Sequence, residues 1–477
     1  MRRLLLVPLF LTAPLGCTER GEIAREAFAR IDPLPSAREE GRDWFGGVFA
    51  LGDLDGDGFD DLLVNWFGFT DDDAGGIFSE HWSLFAGPLD GIMTVDEGVK
   101  LDLCRGARSP AVVDDLDGDG LPELLVRCGS GDVETVAPSG EVLGTLVRPA
   151  GRLFEGPAVG CDLDGDGLQE VVATSAPADD WTRTSARVYP GGLGDRSGDE
   201  PQTILGAGWR PQCLDDADGD GLPDLRVDDR VWLSGAGGIT DAPVAHVTLP
   251  APTPAGVPLE GGARVSYQAW DLGDVTGDGL TDLAVADFPS SQGERVDLPP
   301  TAREDGAAPT WILESPLVPG VRVRDEGTPV FAGGCVAAVG EVASGGDVDG
   351  DGTHDWLVGF GALRWLSDEP TDDCRRRKAR GRILALDSSW TGAVPTTGEY
   401  LDVEGGRHWV PASSDLLMGS RAHWASDGLG RGSDNVEGRT LGSTGDLDAD
   451  GRDSVWAWAP GSGPGQRGSI YLLDVSD

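Results

Sequence analysis

Seven stretches of this chain place acidic side chains at alternate positions of a nine-residue run, Asp-x-Asp-x-Asp-Gly-x-x-Asp/Glu. Oxygen donors at that spacing suit a hard divalent cation: Ca²⁺ takes about six to eight oxygens at roughly 2.3–2.6 Å, and alternate residues of a tight loop can aim at one centre. In the first run the donors are Asp53, Asp55, Asp57 and Asp61 with the carbonyl of Phe59. The second gives Asp115, Asp117, Asp119, Leu121 and Glu123, the third Asp162, Asp164, Asp166, Leu168 and Glu170, and the fourth Asp216, Asp218, Asp220, Leu222 and Asp224. The fifth gives Asp274, Thr276, Asp278, Leu280 and Asp282, and the sixth Asp347, Asp349, Asp351, Thr353 and Asp355. The seventh gives Asp446, Asp448, Asp450 and Arg452. In every run the seventh residue offers its backbone carbonyl, and the sixth is glycine, where the chain must turn sharply.

An Asp/Gly-rich surface turn without metal accounts for one such run, since these residues populate turns for backbone reasons alone. It does not account for seven, because three or four carboxylates within nine residues repel one another unless a cation offsets them. Two runs depart from the pattern. Thr276 replaces the third-position carboxylate, and Arg452 and Asp453 precede Ser454 where the ninth-position acid belongs. These two are expected to bind metal most weakly.

An EF-hand loop would end in a bidentate Glu at position twelve. Here that position is Val64, Val126, Ala173, Val227, Val285, Val358 and Ala457, none of which can hold a metal. Position ten is apolar as well (Leu62, Leu124, Val171, Leu225, Leu283, Trp356, Val455), so positions ten and twelve share one buried face at period two. The element that must follow each loop is a strand.

The first residues of successive loops lie 62, 47, 54, 58, 73 and 99 residues apart, and self-similarity on that scale marks a solenoid, propeller or array. Each unit reads as strand, loop, strand and further strand: in the first, residues 48–52, 62–67 and 82–86. Gly, Pro, Asp and Ser clusters separate the short apolar runs, and no long helical periodicity interrupts them. The class is all-β. A sheet of this size cannot bury both faces alone, so several must stack around an axis. The spacing fits a seven-bladed β-propeller over residues 43–477; an eighth, degenerate blade in the 99-residue gap is the alternative.

The chain resembles the FG-GAP repeats of integrin α-subunit headpieces and their bacterial relatives, the VCBS-type repeats. The residues that carry this are Phe45-Gly46 ahead of the first loop, the run from Gly52 to Gly58, Ser175-Ala176-Pro177, Trp458-Ala459-Pro460, and the strand from Gly468 to Leu473. The resemblance implies a seven-bladed propeller with Ca²⁺ in hairpin loops on one rim. It implies no single activity, since such propellers serve adhesion, sugar binding and occasionally catalysis.

Residues 1–16 read as a signal peptide: Arg2-Arg3, a short apolar core and a small residue before Cys17. Leu15-Gly16-Cys17 resembles a bacterial lipoprotein cleavage site with Cys17 as the acylated residue, so the expected place is the outer membrane or cell surface; plain secretion is the alternative. Residues 17–42 form a tether, within which residues 27–34 are read either as a strand closing the ring on the last blade or as part of the tether. Six further cysteines fit an oxidising compartment. Among fifteen pairings, Cys104–Cys128 and Cys335–Cys374 within blades and Cys161–Cys213 between neighbours are preferred; free buried thiols are the alternative.

The formal charge is −45, and seven Ca²⁺ set against 26 loop carboxylates would still leave about −31. Nucleic acid and anionic membrane faces are poor partners for that field. No Gly-x-Ser-x-Gly, His-Glu-x-x-His, phosphate loop or dinucleotide fingerprint occurs. His408-Trp409 and His423-Trp424, with Trp390, could line a lyase-like or hydrolase-like cleft, although ordinary strand, loop and packing roles suit them better. The expectation is a monomeric, exported propeller with up to seven structural Ca²⁺ that binds a protein or glycan. A polysaccharide lyase or hydrolase with its site in residues 390–424 is the alternative.

Overall fold

The computed structural model describes residues 27–34, 44–70, 77–178, 184–192, 194–205, 210–227, 230–235, 237–239, 245–247, 265–289, 310–317, 320–322, 328–330, 339–348, 350–360, 382–386, 406–409, 441–459 and 469–473. All regular structure among them is strand, in seven sheets of four or five strands. None of the described residues forms a helix long and apolar enough to cross a membrane.

Each sheet begins with the strand ahead of a loop and continues with the strand after it. The first sheet runs Trp44–Gly52, Asp61–Thr70, Ile77–Phe85, Val99–Leu101, and the second Arg108–Val113, Glu123–Arg127, Val133–Val136, Val142–Val147. The third is Arg152–Cys161, Glu170–Pro177, Ser185–Tyr189, Thr203–Ile204, and the fourth Pro211–Leu214, Asp224–Val227, Arg230–Trp232, Ala245–Val247. The fifth is Val265–Gly273, Asp282–Pro289, Thr310–Leu313, Thr328–Val330, and the sixth Val339–Gly346, Asp355–Phe360, Arg382–Leu386, Gly406–Trp409. Leu441–Thr444, Ser454–Ala459 and Ser469–Leu473 begin the seventh. These strands pair antiparallel in sequence order. At six of the seven boundaries the opening strands of neighbouring sheets lie side by side, that of the seventh returning to that of the first, and between the fourth and fifth Gln212 reaches Asp271 of the next opening strand at 3.5 Å; this is the arrangement of a β-propeller.

The fourth strand of the seventh sheet comes from the other end of the chain. Ala27–Asp32 pairs antiparallel with Ser469–Leu473, with Ile31 opposite Ile470. Ala29 and Ile31 are buried with Ile470, Leu472 and Trp456, and Asp32 accepts a hydrogen bond from the Ser469 hydroxyl at 2.6 Å. Of the two readings open for residues 27–34, the structure has the strand.

The strand after each loop is more deeply buried than period-two patterning suggests. Positions ten and twelve are buried wherever their side chains are described, and so is position eleven: Leu63, Leu125, Val172, Arg226, Ala284, Leu357 and Trp456. As the second strand of its sheet, this segment is covered on one face by each neighbouring sheet, so both faces are dry. Three sheets carry a fifth, parallel strand from the following unit: Gly91–Thr94 on the seventh, Arg196–Ser197 on the second and Gly320–Arg322 on the fourth.

Two disulfides of the expected set are present, Cys104–Cys128 within the second sheet's unit and Cys161–Cys213 between the third and fourth sheets. Cys335, Cys374 and Cys17 lie outside the described residues.

Candidate metal-binding loops

Each loop is the connection between the first two strands of a sheet, and its backbone is held by its own acids. In all seven, the position-one carboxylate accepts the N–H of the position-six glycine, at 2.7–3.1 Å (Gly58, Gly120, Gly167, Gly221, Gly279, Gly352, Gly451). The position-five carboxylate accepts the N–H of position seven in all seven as well, at 2.8–3.0 Å. Position six has φ between +86° and +95°, a region that excludes nearly every residue but glycine. The loops carrying Thr276 and Ser454 keep the same bonds, so this backbone does not require the full acid set.

Position nine does different work. Asp61, Glu123, Glu170, Asp224, Asp282 and Asp355 are all buried, and each accepts the N–H of position two at 2.7–3.2 Å. In the seventh loop the Ser454 hydroxyl takes that place on Leu447 at 3.2 Å. The second oxygen of Asp61, Asp224 and Asp282 accepts another backbone N–H, from Gly87, Ser234 and Ser315. Position two itself is an apolar plug: Leu54, Leu163, Ala217, Val275, Val348 and Leu447 are buried. The sequence shows this as an unbroken aliphatic column between the first two acids, a signal that alternate-acid reasoning passes over.

Carboxylate oxygens of Asp115, Asp117, Asp119 and Glu123 lie within 4.8 Å of one another, as do those of Asp53, Asp55 and Asp57, of Asp162, Asp164 and Glu170, and of Asp216, Asp218 and Asp224. Asp61 sits beneath its loop on two backbone N–H groups and is not in the first cluster. Asp349 lies outside the described residues. Cys104, Cys128 and Glu134 also converge, but both sulfurs are committed to a disulfide.

Without a counter-ion these acids are electrostatically uncomfortable. Burial, followed by neighbouring loop aspartates, pushes Glu170 and Asp224 up to about 7 and Asp61 and Asp282 up to about 6. Backbone N–H bonds pull each of them back, but by less. An all-oxygen donor set, with exposed or half-buried acids at positions three and five above a buried one at nine in the second, third and fourth loops, fits a hard divalent cation. The ion would be held by positions one, three and five, the carbonyl of seven and, where it reaches, the acid at nine.

The candidate catalytic residues do not assemble among the described residues. His408 and Trp409 lie on the fourth strand of the sixth sheet, opposite Leu384 and Ile383. Trp390, His423 and Trp424 lie outside the described residues. His81 stacks on Trp66 with ring centroids 4.3 Å apart, and His354 is the eighth residue of the sixth loop.

No family model matches the chain, and no curated protein matches it. Among solved structures, two crystal structures of BBS1N in complex with ARL6DN, soaked with lead or mercury, are similar at 10% identity with TM-scores of 0.40 and 0.41. The matches cover 91% and 92% of this chain and 94% and 96% of those chains. A protein of unknown function from Bacteroides caccae is similar at 11% identity with a TM-score of 0.26, over 65% of this chain and 89% of that one.

Proposed function

We propose that this protein is an exported, calcium-stabilised propeller of the FG-GAP type, seven blades in a ring, that binds a protein or glycan partner at the cell surface. The observation that carries the calcium reading is one loop backbone repeated seven times, with a buried acid beneath six of the loops and converging carboxylates in at least four. Calcium's part is structural: it neutralises the cluster and fixes the hairpin to the sheet. Export is supported by the two disulfides, which persist in oxidising compartments, and the anchor by the Leu15-Gly16-Cys17 sequence. Binding rather than turnover is favoured because no nucleophile, base or phosphate-binding motif is present in the sequence.

The test is a screen of the purified protein, with Ca²⁺ present, against arrayed acidic and neutral polysaccharides and in pull-downs from cell-surface extracts. Retention without product formation is expected. Product release from a polysaccharide, lost in His408→Ala or His423→Ala, would overturn the reading in favour of a lyase or hydrolase.

A further inference from the structure

Neighbouring sheets are joined at the loop rim by one repeated bond. The backbone N–H of loop position eight donates to the position-one carbonyl of the preceding loop: Thr281 to Asp216 at 3.0 Å, His354 to Asp274 at 3.1 Å, Asp453 to Asp347 at 3.2 Å and Asp60 to Asp446 at 3.4 Å. Two side chains at this position add to it. Asp453 accepts from the Asp347 N–H at 2.8 Å, and Asp60 accepts from the Gly445 N–H and the Thr444 hydroxyl. Between the second and third sheets a side chain makes the link instead: Gln169 Oε1 accepts from the Asp114 N–H at 3.2 Å.

In the second and fourth loops position eight is Pro122 and Pro223. Proline has no N–H and no side-chain acceptor, so the rim bond cannot form between the first and second sheets or between the third and fourth. The parallel fifth strands also miss these two seams: they clasp the first unit to the seventh sheet, the third to the second and the fifth to the fourth. Leu89 donates to the Leu447 carbonyl at 2.6 Å and Leu317 to the Ala217 carbonyl at 2.7 Å across two of the same clasped boundaries. Among the described residues the rim and clasp bonds thus form one arc from the fourth sheet through the seventh to the first, and a second arc of sheets two and three.

Apolar side chains pack across both seams: Leu54, Leu63 and Leu84 against Leu124 and Val126 at one, Leu163 and Val172 against Leu225 and Val227 at the other. Only the seam between sheets three and four has a covalent link among the described residues. Cys161, the last residue before the third loop, is bonded to Cys213 on the opening strand of the fourth sheet.

We propose that Cys161–Cys213 stands in for the rim bond that Pro223 removes, and that its loss opens the propeller between the third and fourth sheets. A dithiol reductant would do this by giving two electrons and two protons to the S–S bond, leaving two cysteine thiols and its own cyclic disulfide. The seam is therefore a built-in thiol-responsive joint in a ring closed elsewhere by hydrogen bonds and, between the first and second sheets, by apolar packing.

The experiment is hydrogen exchange with mass-spectrometric readout on the full chain in excess Ca²⁺. In Cys161→Ser/Cys213→Ser, amides of Arg152–Cys161 and Pro211–Leu214 should exchange at least about tenfold faster through local opening, with Val265–Gly273 and Val339–Gly346 unchanged. Adding Pro223→Thr, the residue type at the same position in the fifth loop, should restore most of that protection by supplying about one hydrogen bond. A uniform rise around the ring, no rise, or no restoration by Pro223→Thr would overturn the proposal. If the double cysteine variant does not fold, His354→Pro with all disulfides intact gives the same test at the boundary between the fifth and sixth sheets. Proline is accommodated at this position in two loops, and exchange should rise about tenfold in the opening strands of those two sheets alone. Unchanged exchange there would overturn the premise that the rim bond holds neighbouring sheets together.

Discussion

Replacing Asp224 by alanine removes a buried carboxylate that holds two backbone N–H groups, Ala217 at 2.9 Å and Ser234 at 2.7 Å. Leaving a donor unsatisfied costs about 1–3 kcal/mol, so Asp224→Ala should destabilise the protein by about 2–6 kcal/mol. Asp224→Ser is the informative partner, because the seventh loop already uses serine here: the Ser454 hydroxyl accepts from Leu447 as Asp224 does from Ala217. Serine should recover the Ala217 bond and lose only the one to Ser234, for a cost of about 1–3 kcal/mol. Both variants are measured by urea unfolding followed by tryptophan fluorescence, first in metal-free protein at pH 7.5, where ligand binding does not contribute. Added Ca²⁺ should then stabilise the parent more than either variant, by mass action at the lost site. If alanine and serine cost the same within about 0.5 kcal/mol, the acid's role as a double backbone acceptor is wrong.

The pH dependence of the metal-free protein follows from the same buried acids. Asp224 at about 7 and Glu170 at about 7 stand above their ordinary values of 3.8 and 4.5, so the folded state binds more protons than the unfolded chain between about pH 4 and 7. Stability should therefore fall as pH rises through that window, and saturating Ca²⁺ should flatten the slope in thermal melts. Thr276→Asp should add a carboxylate to the fifth loop and strengthen calcium binding there, while Asp55→Ala should remove one ion; calorimetric titration reads both. Gly165→Ala should cost about 1–3 kcal/mol in urea unfolding, since its φ is +74° and a Cβ would lie 2.8 Å from Leu222 Cδ2 of the next loop. Cys17→Ser should abolish lipid attachment, seen as loss of the acyl mass in membrane-extracted protein.

The sheets were legible from the loops because each loop announces the strand that follows it: Leu62, Val64 and their counterparts alternate in a pattern that only a strand makes useful. The strand after the loop was read as one-sided, and Leu63, Leu125 and Val172 show why that falls short. Their burial depends on the neighbouring sheet, which no local window contains. The same holds for position eight, where Asp60, Pro122, Gln169, Pro223, Thr281, His354 and Asp453 share no chemistry beyond whether they carry an N–H. Its meaning appears only once the preceding loop's carbonyl is beside it. The parallel clasps Gly91–Thr94, Arg196–Ser197 and Gly320–Arg322 are two to four residues long and leave no periodicity to detect. Pairing of Cys161 with Cys213 was readable because both precede a loop, which places them at the same height in adjacent sheets.

The loops as calcium sites are tested most directly by native mass spectrometry of the full-length protein, dialysed free of metal and then titrated with Ca²⁺ against a Mg²⁺ background. Five or more tightly held Ca²⁺ ions are predicted, with the loops of Thr276 and Ser454 filling last. A protein that takes up no Ca²⁺ beyond the nonspecific adducts of an equally acidic control would contradict the account.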